Sequence, residues 1–123
     1  MRILTLSALL LATGSAQAAQ PSLDKALAGR TAGKPESCIQ QNLIDDSETF
    51  DGAILYRMRG GPDYLNRPEQ CSQLAPGRGL ISRTPSTSIC RGDIVQIVDF
   101  SSRFNYGSCG LGDFVPYPRV KKH

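Results

Sequence analysis

Ala53-Ile54-Leu55-Tyr56-Arg57-Met58-Arg59 is the stretch that decides the fold class. Ile54, Tyr56 and Met58 fall on one side of a period-two pattern, and Arg57 and Arg59 fall on the other. Such alternation predicts a half-buried strand. Gly60-Gly61-Pro62-Asp63 follows as a strong turn signal, and a short strand Tyr64-Leu65-Asn66 runs until Pro68 stops it. A strand, a tight turn and a second strand within sixteen residues indicate antiparallel β structure.

The same punctuation extends outward in both directions. Upstream, Ile39 to Ile44 (IQQNLI) alternates with Ile39 and Leu43 on one face, and the polar cluster Asp45-Asp46-Ser47-Glu48 is expected to turn the chain. Downstream, Leu80 to Arg83 reads as a short strand. Ile94 to Phe100 (IVQIVDF) is apolar on both faces and is expected to be the central strand. Gly112 to Tyr117 (GDFVPY) is the last, with Pro116 placing it at an edge or a strand end. Residues 94–100 and 112–117 are close enough in sequence to pair antiparallel. Ahead of all this, Pro21 to Gly29 reads as one short helix. Ser22 is its expected N-cap, Leu23, Ala26 and Leu27 share a face, and Gly29 closes it. Residues 30–37 (RTAGKPES) lack periodicity and read as a linker. The predicted fold is therefore mainly β: a small curled antiparallel sheet or barrel of five to six short strands, with one short N-terminal helix.

The first eighteen residues have the three-part layout of a signal peptide. Arg2 supplies the positive end, Ile3 to Ala12 an apolar run of ten residues, and Ala16-Gln17-Ala18 the small residues before a cleavage point. A spanning helix needs about 20 apolar residues, and no stretch of this chain reaches that. The expected organisation is a signal peptide at 1–18, a short helix and linker at 19–37, and a single β domain at 38–120. Removing residues 1–18 from the 123 leaves 105, one domain's worth. That mature chain loses Arg2 and carries 13 basic against 11 acidic residues, a net charge of +2. Such a balance provides no broad basic field for nucleic acid. Cys38, Cys71, Cys90 and Cys109 all fall in the exported part, and four cysteines in a small exported chain read as two disulfides. The expected location is the periplasm or the outside of the cell.

The residues that usually carry catalysis are scarce. His123 is the only histidine and is the last residue, so no Ser-His-Asp or Cys-His scheme has an internal base. The cysteine spacings contain no Cys-x-x-Cys pair, and no metal or cofactor is expected. Gly77-Arg78-Gly79 is too short for a phosphate loop. Arg91-Gly92-Asp93 spells an adhesion tripeptide, but Gly and Asp are also what commonly opens a strand. Asp45, Asp46, Glu48 and Asp51 lack the spacing of a calcium loop and read as solvated turn residues.

Several stretches together resemble an uncharacterised family of small exported bacterial proteins. They are Leu27 to Pro35 (LAGRTAGKP) with Cys38-Ile39, Ala53 to Tyr56 (AILY), Tyr64 to Pro68 (YLNRP), Cys90 with Asp93 to Val95, and Leu111 to Tyr117 (LGDFVPY). The resemblance covers residues 27–119 and implies no catalytic role. It implies Cys38–Cys90 and Cys71–Cys109 as the disulfides. If strands 94–100 and 112–117 pair, Cys90 and Cys109 lie roughly 17 Å apart, too far for a bond. The nested pairing Cys38–Cys109 with Cys71–Cys90 remains open on that geometry.

The functional expectation is a non-catalytic exported β domain that binds an envelope protein partner or serves the envelope. Its alternatives are a small-ligand binder lined by Tyr56, Met58 and Phe114, and a hydrolase run by carboxylates such as Asp93, Asp99 and Asp113 with arginine. The expected binding face is Arg57 and Arg59, extended across the turn by Tyr64 and Arg67, because Tyr and Arg are enriched at binding hot spots.

Overall fold

The structure is a computed structural model and describes residues 21–120. The signal-peptide reading and His123 lie outside the described residues. Helix α1 spans Pro21–Ala26. Nine short strands follow: β1 (Cys38–Gln40), β2 (Ile44–Phe50), β3 (Ala53–Met58), β4 (Asp63–Asn66), β5 (Gly79–Ser82), β6 (Ser88–Cys90), β7 (Ile94–Asp99), β8 (Phe104–Gly110) and β9 (Phe114–Tyr117). They form three antiparallel sheets, ordered β2-β3-β4-β9, β5-β7-β8 and β1-β6. The mainly β fold with one short helix is as expected. The barrel is not: the three sheets are not closed on one another.

The four-stranded sheet is built around β3, and it is buried on both sides. Ile54, Tyr56 and Met58 face one core, as their alternation predicts, together with Phe114 of β9. Leu55 faces the other way, where Phe50, Ala53 and Leu65 join it under Leu23 of α1. The shared face predicted for Leu23, Ala26 and Leu27 packs there. Helix α1 is described from Pro21 and includes Ser22 in its first turn.

Asp45 to Glu48 do not turn the chain. They lie in β2, an edge strand in register with β3 from Asp46↔Arg57 to Phe50↔Ala53. The turn is Asp51-Gly52, where Gly52 takes a left-handed φ of 72°. An Asp-Gly pair between two strand-like runs is the strongest short hairpin signal, and it overrides the polarity of the residues ahead of it. Charged side chains on an edge strand also discourage further strand addition.

Strand β7 is central, as expected, but its neighbours are β5 and β8. It does not pair with residues 114–117, which instead pair with β4 from Asp63↔Tyr117 to Asn66↔Phe114. The intervening strand β8 (FNYGSCG) hides in the sequence because its glycines and polar residues do not alternate. Residues 30–37 are not a free linker. Gly33 N–H donates to Pro116 C=O, and Glu36 exchanges two backbone hydrogen bonds with Phe114, so this segment covers the outer edge of β9.

The three-stranded sheet packs its inner side, Val95, Ile97 and Cys109, onto the Tyr56 side of β3. Ile39 of β1 and Ile89 of β6 plug the same core. The disulfides are Cys38–Cys90, linking β1 to β6, and Cys71–Cys109, tying the 67–78 loop to β8. These are the pairs that the family resemblance implies. Among the described residues no helix is long and apolar enough to cross a membrane.

Candidate functional site

The four residues of the expected binding face are divided by the sheet. Tyr64 is the direct cross-strand partner of Tyr56, so it points to the Tyr56 side and packs half-buried against that core. Burial, then hydrogen bonding to Glu36, pushes its hydroxyl pKa up. Arg57 is on the opposite side, where it is ion-paired with Glu48. Arg59 and Arg67 are exposed beyond the ends of β3 and β4. The structure therefore does not bring Tyr64 together with Arg57.

The residues of the two alternative readings are also dispersed. Tyr56 and Phe114 pack ring on ring at 5.8 Å inside the core, and Met58 is buried in the same cluster. Burial alone pushes the Tyr56 hydroxyl above the usual phenol range, and it has no hydrogen-bond partner among the described residues. Asp93 Oδ2 accepts the Cys90 N–H at 2.6 Å. Asp99 Oδ1 accepts from Ser101 N–H at 2.9 Å, from the Ser101 hydroxyl and from Ser102 N–H. Asp113 is ion-paired with Arg91. Each carboxylate serves its own turn or surface pair.

The densest ionic cluster is centred on Asp63, whose side chain is 1 % exposed. Its Oδ2 accepts from Arg30 Nη1 at 2.8 Å, and its Oδ1 from Arg119 Nη2 at 2.8 Å and from Met58 N–H at 3.1 Å. Arg119 also donates to the Met58 carbonyl. Burial works to raise this carboxyl's pKa. The hydrogen bonds from Arg119, Arg30 and the Met58 amide outweigh it and hold the pKa below the usual range. This cluster ties Arg30, ahead of the first strand, and Arg119, beyond β9, to Asp63 of β4. Among the described residues no group of three His, Cys, Asp or Glu side chains is placed to hold a metal ion.

The outer side of the β5-β7-β8 sheet differs from the rest of the surface. Alternation along β7 turns Val95 and Ile97 inward and Ile94, Gln96 and Val98 outward, where Ile81 of β5 stands beside Gln96. Helix α1 covers the other sheet, so it leaves this side uncovered. Ile94 is 57 % exposed and Phe100 67 %. The Phe100 ring lies against Gly79 of β5, so close that a Cβ there would meet it at 2.0 Å. Phe104 is as exposed as Ile94, but its ring packs edge-on against Tyr106 at 4.7 Å, and Arg78 stacks on Tyr106.

Two hollows share Ile81, Arg83 and Gln96 and together make a trough along this side. The one toward Phe100 has a volume of about 420 Å³ and is bordered by Arg83 and Arg103. Neither arginine was singled out from the sequence. The available signal was IVQIVDF itself: a strand apolar on both faces needs cover on both. Compared with known proteins, the chain matches no family model, no curated protein and no solved structure.

Proposed function

We propose that this chain is a non-catalytic exported β domain that binds a protein partner of the cell envelope, using the outer side of the β5-β7-β8 sheet. The observation that carries the reading is that side: Ile94 and Phe100 are exposed and Ile81 partly exposed, on a sheet side that α1 does not cover. Burying such a group against a partner is favourable by about 25 cal/mol per Å² of apolar surface. A contiguous apolar patch bounded by polar groups is the usual mark of an interaction site. Export is supported by the two disulfides, which persist in oxidising compartments, and by the signal-peptide pattern before Ala19.

A photo-cross-linking amino acid at Phe100, compared with one at Arg59, tests the reading in intact cells. The expected outcome is a discrete cross-linked envelope protein from position 100 only, lost when Ile94→Asp is added. Purified material should have a mass beginning at Ala19. Equal cross-linking from both positions, or none from position 100, would remove this face as the binding surface.

A further inference from the structure

The charges around the trough limit what can occupy it. Four ionic side chains border its two hollows: Arg83, Arg103, Asp93 and Asp99. Both aspartates are turned toward backbone N–H groups of their own turns, as described above. Neither arginine has an ion pair among the described residues. The hollow toward Phe100 sets Arg83 and Arg103 against Asp99 alone, so it carries a net positive charge beside an apolar floor of Ile81 and Phe100, with Val98 buried beneath.

Arg103 carries a second indication. Its φ is 60°, in the left-handed region that a side chain other than Gly, Asn or Asp occupies at a cost. A glycine would suit the turn better, and an arginine there places a guanidinium at the mouth of the trough. Arginine also matches the planar, two-oxygen geometry of a carboxylate better than lysine does.

The trough follows β7 from Ile94 to Phe100, a run of roughly 20 Å at strand spacing, which suits an extended peptide. Resting on the partner-binding reading above, we propose that it takes a peptide segment of the partner in which an acidic residue stands beside a large apolar one. The apolar side chain lies on Ile81 and Phe100, and the carboxylate reaches Arg83 and Arg103.

The test titrates ¹⁵N-labelled protein with the peptide acetyl-Leu-Glu-Phe-Glu-Leu-amide and with its Gln-for-Glu counterpart, following amide NMR signals. The acidic peptide is expected to shift the signals of residues 81–83, 96–100 and 103, and to bind at least tenfold more tightly than the neutral one. Arg103→Gly relieves the backbone strain, so its Tm should hold or rise while the preference for the acidic peptide falls severalfold. Arg83→Gln should reduce that preference without moving Tm, and Phe100→Ala should weaken both peptides. Equal affinity for the two peptides, shifts centred on another surface, or no shifts at millimolar peptide would overturn the proposal. If cross-linking from Phe100 persists in any of those cases, the partner-binding face stands and only its occupant is wrong; if cross-linking also fails, both are wrong.

Discussion

Asn66 shows how much a single side chain contributes to this fold. It is fully buried, donates from Nδ2 to Gly112 C=O at 2.8 Å and accepts Gly112 N–H at Oδ1 at 2.9 Å. It thereby completes, with a side chain, the pairing that a further strand residue would supply with backbone. Gly112 sits so close that a Cβ would meet the Arg67 carbonyl oxygen at 2.9 Å. Asn66→Leu keeps the branched shape with a larger volume and leaves a backbone donor and acceptor unpaired, so it should destabilise by about 2–3 kcal/mol. Urea unfolding measures this, and a loss below about 0.5 kcal/mol would mean that water replaces the amide. Asn is disfavoured in strands, and that mismatch was the readable sign that Asn66 does something other than fill a sheet position.

At the scale of elements, the β1-β6 sheet illustrates a division of labour. Each of its strands has three residues in register, Cys38↔Cys90 to Gln40↔Ser88, and two strands alone are marginal in water. Ile39 and Ile89 anchor it from beneath, and the Cys38–Cys90 disulfide closes it from outside. Cys38 is exposed, whereas Cys71 and Cys109 are 5 % and 6 % exposed. Thiol–disulfide exchange requires access to a sulfur. Limited dithiothreitol at neutral pH followed by iodoacetamide should therefore label Cys38 and Cys90 well before Cys71 and Cys109. Peptide mass mapping decides it, and simultaneous labelling of all four would show that the domain opens globally first. Replacing Cys71 and Cys109 together by Ala should cost on the order of 2–4 kcal/mol, since their bond restricts the unfolded chain as well.

For the molecule as a whole, Asp63 links parts distant in sequence: Arg30 after α1, Met58 of β3 and Arg119 beyond β9. Its pKa in the folded state lies below the unfolded value of about 3.9. A depressed carboxyl pKa contributes stability that is fully present above the unfolded value and is lost as pH falls through the folded one. Stability should thus be level from neutrality to about pH 4 and decline below it. Asp63→Asn should lower Tm at pH 7, where the arginines lose their anion, and flatten the decline below about pH 4. Parallel pH profiles for the two proteins would show that Asp63 is not the coupled group.

Local chemistry was enough to establish the strands at 53–59, 64–66 and 94–100, the helix before Gly29 and the two-disulfide expectation. Each rests on a short-range property: a period of two, a breaker, or a count of thiols in a small exported chain. Residues 44–50 and 104–110 escaped because an edge strand bears charge and a bulged strand bears glycine, so neither shows a period. Sheet partners were beyond the reach of periodicity. Whether 94–100 lies beside 112–117 or beside 104–110 depends on loop closure and on which apolar faces must meet, and those are set by contacts across the whole chain. The same limit applies to the candidate site. Alternation placed Arg57 opposite Tyr56, but only the register Tyr56↔Tyr64 sends Tyr64 to the core side. Sequence showed that IVQIVDF is apolar on both sides; tertiary structure decided which side is covered, because the one described α-helix packs on Leu55 and Leu65 of the other sheet and leaves Ile94 and Phe100 to solvent.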